Sequence, residues 1–337
     1  MMSIRCFLTS AALAALTSSW LASAPAQAQS YKDVINPADP TFNQLLGINN
    51  SGLITGYFGI GGGVAGHPNQ GYTYSGGVFT PTNFPGSAQT QVTGLNNTGT
   101  LVGFWAPTNV GGDANYGFYK QSGGPFITVV NPNTTSTPPV NQLLGVNDSN
   151  VAVGFFNDSG GNSNGYTYNI TTGNFIPVND PSGVSTTAAG INNAGNIVGF
   201  YTKSGQTTSN GFLDIGGNFT TLDAPGATST MLLGINNKGL IVGTDTDANG
   251  MHGVIYNELT QHWTVLNAYN NTNFTTLNGV NDLGQIVGFY TKLSGNGDTI
   301  GLLVNSPAPE MGRGVLGLAL LVLVIATRRF NLLRLPA

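Results

Sequence analysis

The sequence predicts an all-β fold: a six-bladed β-propeller with four strands per blade, closed by the N-terminal strand. Three observations lead there. One unit is written six times, each unit holds four short strand-like segments, and the N-terminal segment supplies the strand that the last unit lacks.

The unit is plainest in its first hairpin. "GINNSGLITGYF" begins at Gly47, "GLNNTGTLVGFW" at Gly94, "GVNDSNVAVGFF" at Gly145, "GINNAGNIVGFY" at Gly190, "GINNKGLIVGTD" at Gly234 and "GVNDLGQIVGFY" at Gly279. The intervals are 47, 51, 45, 44 and 45 residues, a regularity that marks a repeat architecture. Each unit continues with a variable polar loop and a short run such as "GYTY" at 71 or "GFLD" at 211. A tight turn follows, then a segment such as "FITVVNP" at 126 or "FTTLDAPG" at 219. Named A to D, the four segments are short and bounded by Gly, Asn and Pro, as strands are. Four strands in about 45 residues is the pattern of a propeller blade.

Strands A and B, as in "LLGI" and "IVGFY", are apolar on both faces, which suits inner strands covered by neighbouring blades. The glycines within them (47, 94, 145, 190, 234 and 279 in A; 56, 103, 154, 199, 243 and 288 in B) let backbones crowd toward an axis. The start "YKDVINPADPTFNQLLG" matches a D strand and its loop, as in "FITVVNPNTTSTPPVNQLLG" at 126–145, while the sixth unit ends after a C-like "GLLVNS" at 301–306. A ring closed by that first strand removes the exposed edge. A β-solenoid is the alternative, but it would need capping repeats and no divided unit.

The A–B turn reads Asn-Asn-x-Gly. Its fourth position is Gly52, Gly99, Gly195, Gly239 and Gly284, with Asn150 as the one substitute. That restriction identifies a left-handed backbone position. The first position is Asn in all six units, and the second is Asn or Asp. Both residues favour turns through local hydrogen bonds. Six such turns around a channel mouth also leave a cation site as a second reading. A phosphate loop is excluded, since no Lys-Ser/Thr and no helix follow.

The two termini read as addresses. Residues 1–28 have the layout of a signal peptide: Arg5, an apolar run, and "AQA" at 26–28 before Gln29. An uncleaved anchor is the alternative. Cys6, the sole cysteine, lies within this segment, so the 29–306 domain has no disulfide or thiol chemistry. Residues 307–337 run as a Pro-rich stop, the 13-residue apolar stretch Gly314 to Ala326, and a basic tail. The stretch is short of the roughly 20 residues of a comfortable span, and the basic tail would stay cytoplasmic.

This layout resembles the PEP-CTERM sorting signal of Gram-negative exopolysaccharide producers. The resemblance implies an exosortase-type enzyme as partner through residues 309–329, a short transmembrane helix, and transient membrane attachment before cell-surface or extracellular release. The third motif position departs, with Met311 following Pro309 and Glu310. A plain C-terminal anchor is the other reading.

Across about residues 31–305 the unit also resembles the extracellular HAF-family repeat, named for a His-Ala-Phe stretch at the start of strand C. The family His stands only at His252; elsewhere the position holds Gln70, Tyr116, Asn164, Asn210 and Ile300. The resemblance implies export and no particular activity.

Composition narrows the function classes. Charged residues are 7% of the chain, and all five arginines lie at its ends. Between Gln29 and Ser306 five lysines face twelve aspartates and one glutamate, a net charge of −8. Such a surface is a poor nucleic-acid binder. Cations and neutral ligands such as sugars stay open.

Candidate sites are few. The fifth unit has Thr244-Asp245 where the others have an aromatic pair, and then "DTDANG" at 245–250. Asp245, Asp247 and Asn249 repeat the first half of a calcium loop, which makes calcium the one candidate cofactor. The second half is deficient, so a polar loop is the alternative. Trp105, Phe156, Tyr201 and Tyr290 end strand B beside the face that carries the long B–C and D–A loops. Aromatics among Ser, Thr and Asn there suit sugar stacking, and inter-blade packing is the other explanation. His67, His252 and His262 lack metal-ligand spacing, and no nucleophile elbow or paired-carboxylate pattern appears. The expectation is a structural or adhesive binding module for exopolysaccharide or a protein partner, with a secreted hydrolase or lyase as the alternative.

Overall fold

A computed structural model of the chain describes residues 30–59, 68–108, 112–269, 273–293 and 297–305. The expected signal peptide, the sorting segment and His67 lie outside the described residues. Among the described residues there is no helix, hence none long and apolar enough to cross a membrane.

Twenty-four strands form six four-stranded antiparallel sheets, the blades of a six-bladed β-propeller. The chain enters with β1 (Ser30–Val34). Blade 1 is β2 (Asn43–Ile48), β3 (Ile54–Gly59), β4 (Asn69–Ser75) and β5 (Val78–Pro81). Blade 2 is β6 (Gln89–Leu95), β7 (Leu101–Ala106), β8 (Tyr116–Lys120) and β9 (Phe126–Val129). Blade 3 is β10 (Asn141–Val146), β11 (Val151–Asn157), β12 (Ser163–Asn169) and β13 (Phe175–Pro177). Blade 4 is β14 (Ser185–Ile191), β15 (Ile197–Thr202), β16 (Ser209–Ile215) and β17 (Asn218–Thr221). Blade 5 is β18 (Ser229–Ile235), β19 (Leu240–Asp247), β20 (Gly250–Asn257) and β21 (His262–Leu266). Blade 6 is β22 (Asn273–Val280), β23 (Gln285–Lys292) and β24 (Thr299–Asn305), completed by β1.

The closure has the expected register. β1 pairs antiparallel with β24, from Ser30 opposite Asn305 to Val34 opposite Gly301. The junction it makes with blade 1 repeats the one between blades 2 and 3. Asn43 donates through Nδ2 to the Val34 carbonyl at 2.7 Å, and Asn141 donates to the Val129 carbonyl at 2.9 Å. The N-terminal strand therefore occupies the D position of blade 6 and covers the outer edge of β24.

The core lies between blades and repeats with them. On strand A the residues Leu45, Val92, Leu143, Ala188, Leu232 and Leu277 are fully buried. The matching set on strand B is Thr55, Val102, Val153, Val198, Val242 and Val287. Burying one aliphatic side chain of this size stabilises by about 1.5–3 kcal/mol, so these two rings hold much of the domain together. The outer strands β5, β9, β13, β17 and β21 are short and largely exposed.

The glycines explain how six inner strands meet. A Cβ on Gly47 would lie 3.1 Å from the Gly94 Cα. The same holds from Gly94 to Gly145, Gly145 to Gly190, Gly190 to Gly234, Gly234 to Gly279 and Gly279 back to Gly47, all at 3.1–3.4 Å. Side chains at these positions would push neighbouring blades apart. Just before each of these glycines the A–B register shifts by a β-bulge. The bulge turns Leu46, Thr93, Leu144, Ala189, Leu233 and Asn278 toward the axis, where they line the central channel.

Candidate functional site

The Asn-Asn-x-Gly turns form one face of the ring. Gly52, Gly99, Gly195, Gly239 and Gly284 have φ between 74° and 85°, and Asn150 has φ 57°. The first Asn builds the turn: Asn192 Oδ1 accepts from the Ala194 and Asn196 backbone N–H groups at 3.1 and 3.0 Å. The same side chain also reaches across. Asn49 donates through Nδ2 to the Asn96 carbonyl, Asn96 to Asn147, Asn147 to Asn192, Asn192 to Asn236, Asn236 to Asn281 and Asn281 to Asn49, at 2.8–3.3 Å.

The second position closes a parallel ring. The backbone N–H of residues 50, 97, 148, 193, 237 and 282 donates to the side-chain Oδ1 of the next one round, at 2.7–2.9 Å. Asp148 takes further bonds from Asn97 and Asn193, and Asp282 takes them from Asn50 and Asn237. Burial raises both carboxyls, yet these bonds outweigh it and hold them below the usual carboxylate range. The motif is thus both a turn and an inter-blade latch. Every Oδ1 in the second ring is taken by a backbone N–H, so the ring satisfies itself without a cation.

The opposite face carries the B–C and D–A loops. Between blades 2 and 3 those loops enclose a cleft of about 490 Å³. Its walls are Phe104, Trp105, Gln89 and Gln91 from blade 2, Asp113 and Asn115 from the B–C loop, Ser136 to Pro138 from the D–A loop, and Gln142 and Asn157 from blade 3. Trp105 stacks on Phe84 with ring centroids 4.5 Å apart and an interplanar angle of 7°, and it packs on Tyr116 as well. Its Nε1 is buried without an acceptor among the described residues. The loop is braced by Asp113, whose carboxylate accepts from the Thr108 hydroxyl and backbone N–H and from the Ala114 N–H. The Thr108 hydroxyl does most to keep Asp113 ionised below its ordinary range. Gln142 donates to Asn115 Oδ1 at 2.9 Å, joining blade 3 to the blade 2 loop.

The cleft meets the axial channel, a cavity of about 320 Å³. Gln91, Phe104 and Gln142 line both, while Gln44 and Tyr57 line the channel alone. Positions equivalent to the three glutamines on blades 4–6 are Thr187, Met231 and Thr276. The amide-lined side of the channel mouth therefore belongs to blades 1–3.

The four aromatics expected on the ligand face separate. Trp105 forms a cleft wall. Phe156 packs on Tyr166 in the core between blades. Tyr201 and Tyr290, 1% and 4% exposed, face inward, bonded to Thr221 and Asp33. Burial between blades, and not the open face, sets these three. The amides Gln91, Gln142 and Asn115 were missed by sequence reasoning. Their signal was the unequal length of the loops at 106–116 and 131–142, together with glutamine at the same A-strand position in three consecutive units.

The expected calcium loop is a β-hairpin. Asp245 pairs with His252 and Asp247 with Gly250 across β19 and β20, leaving Ala248 and Asn249 as the turn. Asn249 faces Asp247 as a donor, through its backbone N–H at 2.6 Å and Nδ2 at 3.2 Å. His252 Nε2 lies 3.0 Å from Asp247 Oδ1, and Nδ1 lies 2.9 Å from Asn267 Oδ1. Burial alone would lower the imidazole, but these partners raise it. No group of three or more His, Cys, Asp or Glu among the described residues could hold a metal ion.

The contact to Asn267 has counterparts. Asn83 donates to Gln70, and Asn210 donates to Asp223. The residue before the strand C glycine clamps the end of strand D in these blades. Asp245 is the odd member. It sits where Phe58, Trp105, Phe156, Tyr201 and Tyr290 sit, is 5% exposed, and its Oδ1 has no partner among the described residues. Burial raises its carboxyl, with the His252 charge as partial compensation.

Fold and site together define a six-bladed propeller with one latched, self-satisfied face and one face opened by a polar, aromatic cleft. No protein-family model matches the chain, and no curated protein does. Solved structures do share its fold. A protein of unknown function from Dyadobacter fermentans DSM 18053 matches with TM-score 0.50 and 12% identity, over 82% of this chain and 98% of the other. AofleA from Arthrobotrys oligospora matches with TM-score 0.50 and 10% identity, over 82% and 86%. At these identities the likeness concerns the fold alone.

Proposed function

We propose that the chain is an exported HAF-type repeat protein, displayed at the cell surface through a PEP-CTERM-like segment at 309–329, that binds a neutral polysaccharide on its open face. The observation behind the ligand is the cleft between blades 2 and 3. It offers an aromatic wall, Phe104 and Trp105, facing amides and hydroxyls from Gln91, Asn115, Ser136 and Gln142. Carbohydrate recognition needs apolar ring faces for C–H surfaces and directional donors and acceptors for hydroxyls. The domain's −8 charge and the ionised Asp113 disfavour acidic chains. Asp113 is the one carboxylate among the described cleft residues, so a paired-acid hydrolysis has no second partner there. The reading is binding without turnover.

Affinity electrophoresis tests it. The purified protein should be retarded in gels containing a neutral glucan, mannan or galactan, and less so as Asn115→Ala with Gln142→Ala. Equal mobility in all the neutral gels, or stronger retardation by alginate, overturns the assignment.

A further inference from the structure

The cleft and the channel adjoin, sharing Gln91, Phe104 and Gln142 in their linings, and the two differ in what can lie in them. The cleft lies between two blades, walled by loops and strands of both. The channel is enclosed by six inner strands on all sides. A chain lying in the cleft can extend outward at its free end. A chain reaching inward past Gln91 and Gln142 meets the bulge residues, Leu46, Leu144 and Leu233 among them, and has no lateral exit.

The mouth of the enclosed part is chemically distinct. Gln44 and Gln91 make no side-chain hydrogen bond among the described residues, and Gln142 uses only its Nε2. Three amides from consecutive blades therefore converge with unused donors and acceptors, beside the Tyr57 and Phe104 rings, and among the described residues no charged side chain lines that end. Unpaired amides at the rim of a preformed cavity are the groups that fix the orientation of a small polar ligand. The cavity volume is within the roughly 300–1,000 Å³ of small-molecule sites. A terminal sugar brings one more hydroxyl than an internal one, and the amide cluster is placed to take it.

We propose that the channel mouth holds the terminal residue of the neutral glycan while the cleft holds the units behind it, so that the protein recognises chain ends. This rests on the binding reading above. Gln44 touches the channel alone and Trp105 the cleft alone, which allows the two readings to be separated.

The test is an array of reducing-end-immobilised neutral glycans, probed with the intact protein and with Gln44→Leu and Trp105→Leu. Thermal unfolding confirms that each variant is folded; Gln44→Asn replaces Gln44→Leu if the latter is not. The expected result is a set of bound glycans sharing one non-reducing terminal sugar across different internal sequences. Gln44→Leu should weaken binding at least tenfold. Bound glycans that share an internal sequence with varied termini overturn end recognition and leave the cleft reading standing. So does full binding by Gln44→Leu alongside loss in Trp105→Leu. An array with no bound glycan overturns both.

Discussion

Replacing Asn192 by Asp separates the two roles of the first turn residue. Asp is nearly isosteric and keeps the Oδ1 that accepts from Ala194 and Asn196. It lacks the Nδ2 that donates to the Asn236 carbonyl, and sets an anionic oxygen in that place, 3.3 Å from another oxygen. Asn192 is buried, so the carbonyl is not simply rehydrated. Asn192→Ala removes all three bonds, at about 1 kcal/mol each, or about 3 kcal/mol. Asn192→Asp removes one bond and adds an unsatisfied buried contact, about 2–4 kcal/mol in sum, less what its charge returns to the two turn N–H groups. The net expectation is about 2 kcal/mol. Urea unfolding at pH 7 reads it as a lower midpoint at unchanged slope, and Tm should fall by about 4 °C for a domain of this size. The Asp deficit should shrink below pH 4, where the protonated carboxyl regains a donor. If the Asp variant stays within about 0.5 kcal/mol of the parent while Ala falls, the cross-blade bond contributes nothing and the motif is a turn only.

Thr55 occupies a slot filled by valine in the other five blades, and its buried Oγ1 has no partner among the described residues. Thr55→Val should therefore stabilise by about 1–2 kcal/mol, read by the same urea titration; destabilisation would mean the hydroxyl is satisfied after all. Asp245 carries a raised carboxyl, so its folded form holds the proton more tightly than the unfolded chain. Its stabilising contribution is complete below about pH 4 and disappears as pH rises through the folded value. Asp245→Asn should thus gain about 1 kcal/mol at pH 7, the low end for a charged buried group because His252 compensates, and little at pH 3; a loss at pH 7 would refute the assignment. Deleting residues 30–36 removes the whole β1 pairing and the buried Val34. The single unfolding transition should move down as a unit, since every blade depends on closure; an unchanged transition would show that β1 only decorates the rim.

The fold was legible because its determinants are local and repeated. Gly or Asn at one turn position, glycine within strands A and B, and a displaced D strand together specify a closed ring before any coordinate is known. The inter-blade latch was half legible. Asn is invariant at the first turn position because it must both accept and donate, while Asp is allowed at the second, where the ring asks only for an acceptor. That asymmetry stood in the sequence, but its meaning needs neighbours 44–51 residues away. The aromatics that end strand B were not legible as a site. Their chemistry is the same at Trp105 and Tyr201, and only the neighbouring blade decides which is a wall and which is core. In the same way "DTDANG" has calcium-loop spacing, but strong pairing of β19 with β20 turns it into a hairpin.

The pairing of β1 with β24 also fixes a direction. Ser30 and Asn305 sit side by side, and Gln285, which follows the Asn281 turn, pairs with that same Asn305. The chain thus enters and leaves the ring on the latched Asn face, the one turned away from the cleft. Under the proposed surface display, attachment through the residues that follow Asn305 would hold the disc from its latched face and present the open loops outward. A pull on the end of β24 would be carried first by that strand, clamped between β23 and the chain's own first strand, so it would be resisted by two ladders of hydrogen bonds.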